Sequence, residues 1–170
     1  MILIMYQTER LLLRQFSEDD APFVLTLLNE PSFLRYIGDK KIRTLADAQQ
    51  YILNGPVASY ERHGFGLLLV ELKESHTPIG MCGLLKREEL PDPDIGFAFL
   101  PAFWNKGFAF EAATAVLKDA RERLELERIL AITSLDNEAS IMLLERLGFK
   151  FDKVVRLSPD GEQVKLFVTG

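Results

Sequence analysis

The chain has 170 residues, and at about 150 residues per domain it is expected to form a single domain over residues 1–170. Apolar residues make up 48% and charged residues 26%, a globular balance that excludes an intrinsically disordered chain. The 20 basic and 25 acidic residues leave a net charge of −5. That weighs against nucleic acid or an anionic membrane as partner, although a basic pocket for one small anion remains open. In chain order, Thr8–Phe16 reads as a strand, with Leu11 and Leu13 on one face and Leu12 and Arg14 on the other. Ser17, with Asp20 three residues on, has the spacing of a capping box and opens a helix carrying Phe23, Val24, Leu27 and Leu28. Pro31 ends that helix or starts a short turn through Tyr36. Thr44 with Asp47 repeats the capping signal, and Gly55-Pro56 breaks or kinks the helix that follows before Arg62.

Gly66–Lys73, Pro78–Lys86 and Asp94–Leu100 read as three strands joined by short turns, which favours an antiparallel meander. A loop, Phe103–Ala109, leads into a helix from about Gly107 to Leu124 with a narrow inner face of Ala109, Ala112, Ala113, Val116, Leu117 and Ala120. Arg128–Ser134 is a strand, and Asn137–Leu147 a helix stopped by Gly148. Phe149–Arg156 and Gln163–Val168 are strands joined around Pro159-Asp160-Gly161. The order is βααβββαβαββ, a mixed α/β chain of the α+β type. The apolar runs Met1–Tyr6, Phe65–Val70 and Gly96–Trp104 are far shorter than the roughly 20 residues of a membrane span. The opening MILIMYQTER lacks a basic region and a cleavage site, so no secretion signal is expected. Cys82 is the single cysteine, so there is no internal disulfide or cysteine cluster, and a reducing, cytoplasmic setting is expected.

The chemistry is expected in Asp94–Glu111, DIGFAFLPAFWNKGFAFE. A strand runs into a tight loop and the loop into a helix, whose first turn leaves N–H groups unpaired at the positive end of the helix dipole. Phosphate fits there. Gly107 has no side chain to block it, Asn105 tolerates left-handed backbone, and Lys106 adds a positive charge. Neither GxxxxGK[ST] nor GxGxxG is present. One strand later, Asn137 reads as a helix N-cap, or it and Ser140 point at a ligand lying along the preceding helix's start.

Together, TERLLLR at Thr8–Arg14, PIGMCGL at Pro78–Leu84, DIGFAFLPAFWNKGFAFEA at Asp94–Ala112 and NEASIMLLERLGF at Asn137–Phe149 resemble the GNAT superfamily of acyl-CoA N-acyltransferases. The branch most resembled is that of the ribosomal-protein N-terminal alanine acetyltransferases. The resemblance runs from about residue 8 to the end. It implies a mixed, mostly antiparallel central sheet of about seven strands flanked by helices, and transfer of an acetyl group from acetyl-CoA to an amine without a metal. The superfamily's pyrophosphate loop, Gln/Arg-x-x-Gly-x-Gly/Ala, becomes Trp104-Asn105-Lys106-Gly107-Phe108-Ala109. Its first position departs from the superfamily, but an aromatic there is frequent in the resembled branch. By resemblance, backbone near Phe99 and Leu100 pairs with the pantetheine arm, and amides from Asn105 to Ala109 hold the pyrophosphate. Asn137 contacts the cofactor, with Ser140 near its sulfur. Many members carry an acid tyrosine seven residues after the asparagine; here that residue is Leu144, which leaves Ser140 as the candidate acid.

Amide formation needs a deprotonated amine, a stabilised oxyanion and two reactants held together. An N–H near Phe99, freed where the strands part, would face the thioester oxygen. Asp94 reads equally as the base or as a surface turn residue. Glu88 and Glu89, in the preceding loop, either reach substrate or are simply solvated; Glu111 reads as a first-turn carboxylate favoured by the dipole, and His63 and His76 as unrelated loop residues. The acceptor, a protein N-terminus or a small amine, is expected between the first helices and the loop at Glu88–Pro93. Acids there (Glu18, Asp19, Asp20, Glu30, Asp39, Asp47, Glu61) form either a rim for a cation or an ordinary solvated surface. The resemblance also allows a homodimer. The competing reading is a non-catalytic acyl-CoA-binding or sensor protein on the same scaffold; a weaker third is an interaction domain whose loop is merely a helix start.

Overall fold

The computed structural model describes residues 3–169. Where alternation predicts one strand over Thr8–Phe16, the chain forms a hairpin of β1 (Ile4–Gln7) and β2 (Leu11–Arg14). Thr8 makes the turn: its N–H donates to the Leu11 carbonyl, and its hydroxyl accepts the Leu11 N–H at 3.0 Å. The extra strand brings the sheet to eight strands instead of about seven.

Both capping boxes form. Ser17 and Asp20 close a 3₁₀ turn, Glu18–Asp20, ahead of α1 (Ala21–Leu28). Thr44 accepts the Asp47 N–H at the start of α3 (Leu45–Ile52). Between them, Pro31 starts α2 (Pro31–Tyr36). Pro56 sits in a wide π-helical turn, Leu53–Val57, which separates α3 from α4 (Ala58–His63). The meander follows as β3 (Leu67–Leu72), β4 (Pro78–Leu85) and β5 (Asp94–Phe99), antiparallel throughout. Then come α5 (Phe108–Glu122), β6 (Ile129–Ser134), α6 (Glu138–Arg146), β7 (Lys150–Arg156) and β8 (Gln163–Thr169).

The strands lie in the order β1-β2-β3-β4-β5-β6-β8-β7. β5 and β6 form its parallel neighbours, and they meet at one register position, Asp94 opposite Leu130. There the Leu130 N–H donates to the Pro93 carbonyl at 2.9 Å. On their other edges β5 follows β4 from Leu85↔Asp94 to Gly80↔Phe99, and β6 follows β8 from Ile129↔Thr169 to Ser134↔Val164. The sheet is therefore two antiparallel halves joined at one end of a parallel seam and parted at the other.

One face of the sheet packs against α5 and α6. Ala112, Ala113, Val116, Leu117 and Ala120 of α5 are buried there with Ile95, Phe99, Ile129, Ala131 and Leu144. The small side chains let α5 lie close to the strands. The other face carries α1, α2 and α3 over Leu67, Leu69 and Met81. Arg14 ties the strands to the first helical turn: its guanidinium meets Asp20 at 2.8 Å and Glu71 at 3.3 Å, with only 11% of the side chain exposed.

β4 passes β3 so closely at Gly83 that an added Cβ would lie 2.2 Å from the Gly66 carbonyl oxygen. Backbone cannot give way as a side chain does. Gly83→Ala is therefore expected to cost about 1–3 kcal/mol. At roughly 2–4 °C per kcal/mol for a chain of this size, the melting temperature falls by several degrees, measured by circular dichroism.

Candidate functional site

The site grows from the way β5 spends its backbone. The Leu100 N–H donates to the Ile79 carbonyl at 2.9 Å. In an antiparallel ladder, alternate residues turn both backbone groups toward the same neighbour. Leu100 faces β4, so Phe97 and Phe99 direct their N–H groups into the gap on the β6 side. At Leu100 the N–H is held by the Ile79 carbonyl, and the carbonyl accepts the Phe103 N–H. The Phe99 carbonyl is also taken, by the Trp104 indole N–H at 2.8 Å. Trp104, the departure from the superfamily loop, thereby ties the loop back onto β5.

After a 3₁₀ turn at Pro101–Phe103, the chain reverses through two left-handed residues, Asn105 at φ 60° and Gly107 at φ 81°. Gly107 is the N-cap of α5, with no side chain to fill the cap. The first helical bond runs from the Glu111 N–H to the Gly107 carbonyl. Among the described residues, the N–H groups of Asn105, Lys106, Gly107, Phe108, Ala109 and Phe110 have no protein acceptor. Six successive donors at the positive end of a fifteen-residue helix make a binding place for phosphate oxygens.

A clamp not foreseen in the sequence holds this loop. The Glu111 carboxylate accepts the Thr8 hydroxyl, the Arg10 N–H at 2.9 Å and the Arg10 Nε at 2.7 Å. Arg10 also donates to the Lys106 carbonyl at 2.9 Å and lies over the Phe108 ring, 4.2 Å from its centroid. Burial works to raise the Glu111 pKa, but the bonds from Thr8 and Arg10 outweigh it and hold the carboxyl below its ordinary value. Glu111 is thus the first-turn carboxylate the sequence suggests. Its partners, about a hundred residues away, carried no local signal beyond their place in the TERLLLR segment.

At the end of β6, Asn137 caps α6, its Oδ1 accepting the Ser140 N–H at 3.3 Å. Both residues are half-buried. Arg146 of α6 lies over the Phe110 ring of α5 at 4.2 Å, which fixes the two helices together. Leu144 is fully buried in the core between the helices and the sheet.

The structure does not bring Asp94 to this place. It sits at the closed end of the seam, about 16 Å from Phe99 at roughly 3.3 Å per strand residue. Its side chain is 1% exposed and receives the Arg87 Nε at 3.1 and 3.2 Å. Burial pushes its pKa upward, and the neighbouring Arg87 offsets this only in part. Of its two sequence readings, the surface turn residue is wrong because the carboxylate is sealed. The base reading meets the same obstacle, since a base must reach the amine. Glu88 and Glu89 are exposed. His63 stacks on Phe65, while His76 bonds Glu71 in the β3–β4 turn. The acids on the first helices are partly spent: Asp20 on Arg14, Asp39 on Arg43 at 2.6 Å, and Asp47 on the α3 cap.

Residues 10–150 match the model of a family described as an acetyltransferase (GNAT) domain. An uncharacterized N-acetyltransferase of Bacillus subtilis, YoaA, is 30% identical over 152 residues, covering 88% of this chain and 85% of that protein. An acetyltransferase from Agrobacterium tumefaciens superposes with a TM-score of 0.82 at 25% identity, covering 97% of this chain and 93% of that one. A ribosomal L7/L12 alpha-N-protein acetyltransferase in complex with coenzyme A superposes with a TM-score of 0.82 at 17% identity, a likeness of fold that covers 98% of this chain and 97% of that one.

The clamp has a pH signature. A carboxyl whose pKa is lowered on folding stabilises the fold above its unfolded pKa, near 4.3 for glutamate, and ceases to do so as pH falls through the lower folded value. Wild type is expected to be more stable than Glu111→Gln at pH 7, with the difference shrinking as pH falls below about 4. Urea titrations at stepped pH measure it.

Proposed function

The chain belongs to the GNAT acetyltransferase family, and on that premise we propose that it moves an acetyl group from acetyl-CoA to a primary amine by direct attack in a ternary complex. The observation that carries this reading is the row of unengaged amides from Asn105 to Phe110 beside the parted end of β5 and β6. A pyrophosphate carries the charge that such a row satisfies. A pantetheine arm is a narrow, amide-bearing chain that can add itself to the open edge of β5 as an extra strand would. Acetyl-CoA brings the thioester; the residues of this chain bind, orient and polarise it.

In this reading the amides of Asn105 to Ala109 hold the pyrophosphate and Lys106 adds charge at the loop's outer side. Asn137 contacts the donor from α6. The Phe99 N–H, directed into the gap, donates to the thioester oxygen as negative charge builds on it. Ser140 donates a hydrogen bond to the departing thiolate sulfur, which needs no strong acid because a thiol is itself fairly acidic. Asp94 pairs with Arg87 at the closed end of the seam.

With Asp94 sealed away, the acceptor's own basicity matters. An α-amino group has a pKa near 7.7–8.0 and is about a quarter neutral at pH 7.4, whereas a lysine amine near 10.4 is about 0.1% neutral. A protein N-terminus, or a small amine of similar pKa, therefore suits the site better than a strongly basic alkylamine. This agrees with the resemblance to the ribosomal-protein N-terminal alanine acetyltransferases. The buried Asp94 and the leucine at 144 also favour a second reading, an acyl-CoA sensor; tight acetyl-CoA binding without turnover on any amine would establish it.

Two variants test the proposal. Gly107→Glu puts a side chain on a left-handed residue, its Cβ 3.3 Å from Arg10 Nη2, and so distorts the loop that presents the amides; acetyl-CoA binding by calorimetry is expected to vanish while the circular dichroism spectrum persists. Ser140→Ala removes one hydrogen bond to a charged group, worth about 1.5–3 kcal/mol. CoA release with an α-amino peptide is expected to show kcat lowered roughly 10- to 100-fold, with KM for acetyl-CoA little changed.

A further inference from the structure

Among the described residues, two buried side-chain polar atoms have no hydrogen-bond partner in the protein: Thr133 Oγ1 and Ser134 Oγ. They are neighbours, and they are the last two residues of β6, at the parted end of the seam. Other hydroxyls of this chain find acceptors readily. Thr8 donates to Glu111, Ser59 to the Phe65 carbonyl and Thr114 to the Phe110 carbonyl. A buried hydroxyl left unpaired has lost water and gained nothing, and folded chains seldom keep one without a use.

Successive residues of a strand face opposite sides of the sheet. Thr133 continues the row of Ile129 and Ala131, which packs in the core with α5, α6 and Phe99. It is 6% exposed. Ser134 continues the row of Leu130 and Ile132, on the opposite face. The hydroxyl of Thr133 therefore lies on the side of the sheet from which the α5 loop and the first turn of α6 serve the gap. It is four residues ahead of Asn137 and, by the Asp94–Leu130 register, across the gap from Phe97, two residues short of Phe99.

We infer that Thr133 is a further donor-binding residue, whose hydroxyl takes its missing hydrogen bond from the thioester end of acetyl-CoA. The inference rests on the acetyl-CoA reading of the preceding subsection. A threonine hydroxyl can donate to the carbonyl oxygen or the sulfur and move no proton in doing so. In the free protein no protein group answers the hydroxyl. In the complex it is a contact, so the group favours the bound state over the free one.

The test sets stability against affinity. Thr133→Val keeps the shape of the side chain and removes the hydroxyl; Thr133→Ser keeps the hydroxyl. Ser134→Ala removes the neighbouring orphan on the face away from the donor. Melting temperatures and acetyl-CoA dissociation constants are measured on the full chain for wild type and all three variants. Thr133→Val is expected to melt at or above the wild-type temperature and yet to bind acetyl-CoA about 3- to 10-fold more weakly, the range of one ordinary hydrogen bond. Thr133→Ser is expected to recover most of that affinity, and Ser134→Ala to bind as wild type does. Unchanged affinity in Thr133→Val, or a loss of several degrees with affinity unchanged, overturns the inference and leaves the acetyl-CoA reading standing. If the wild type binds no acetyl-CoA, that reading falls and the inference with it.

Discussion

The pairing of β5 with β6 rests on one register position, Asp94 opposite Leu130, and the site depends on its being no longer than that. Each strand is fully paired along its outer edge, so neither can shift to close the gap without breaking a complete antiparallel ladder. Beyond Leu130 the facing backbone groups are left to whatever enters between them. Buried backbone N–H groups need partners, and an extended, amide-bearing molecule provides them in the geometry of a strand. Asp94 and Arg87 pair within the β4–β5 connection beside the closed end; their place is structural, away from the parted strands.

The second constraint is the clamp around Glu111. The loop from Trp104 to Gly107 holds two residues in left-handed backbone, and such a segment keeps its shape only when its surroundings enforce it. Trp104 pins one end to the Phe99 carbonyl, and Arg10 pins the other through Lys106 and Glu111. The amides are thus held in position without being consumed. Arg10 satisfies a carbonyl, a carboxylate and an aromatic face, and leaves the donors alone. A site for a dianionic group built from backbone requires that division of labour, with side chains fixing the loop from behind and main-chain N–H groups facing outward.

Much of this was legible in the amino-acid order because the determinants are local. The capping boxes at Ser17/Asp20 and Thr44/Asp47, the stop at Pro56, the alanine face of α5 and the left-handed Asn105 follow from what those residues can do with their nearest neighbours. What escaped depends on distant partners. The β1–β2 turn looks like continuous strand because Thr8 and Arg10 fit the alternation; it turns because Thr8 closes it and Glu111 holds both residues from α5. Alternation places Asp94 on a face but says nothing of Arg87, which closes over it. The orphaned hydroxyls of Thr133 and Ser134 look like ordinary strand residues until the absence of neighbours beside them is seen.

The central claim is that the amides from Asn105 to Phe110, with those of Phe97 and Phe99, receive an acyl-CoA. Amide proton–nitrogen spectra of the labelled full chain, recorded during titration with acetyl-CoA, address it residue by residue. The account predicts the largest shifts at Asn105–Phe110 and at Phe97 and Phe99, saturating together, with Leu100 and Asp94 moving little. Saturable binding whose shifts gather elsewhere and leave those amides in place would contradict it.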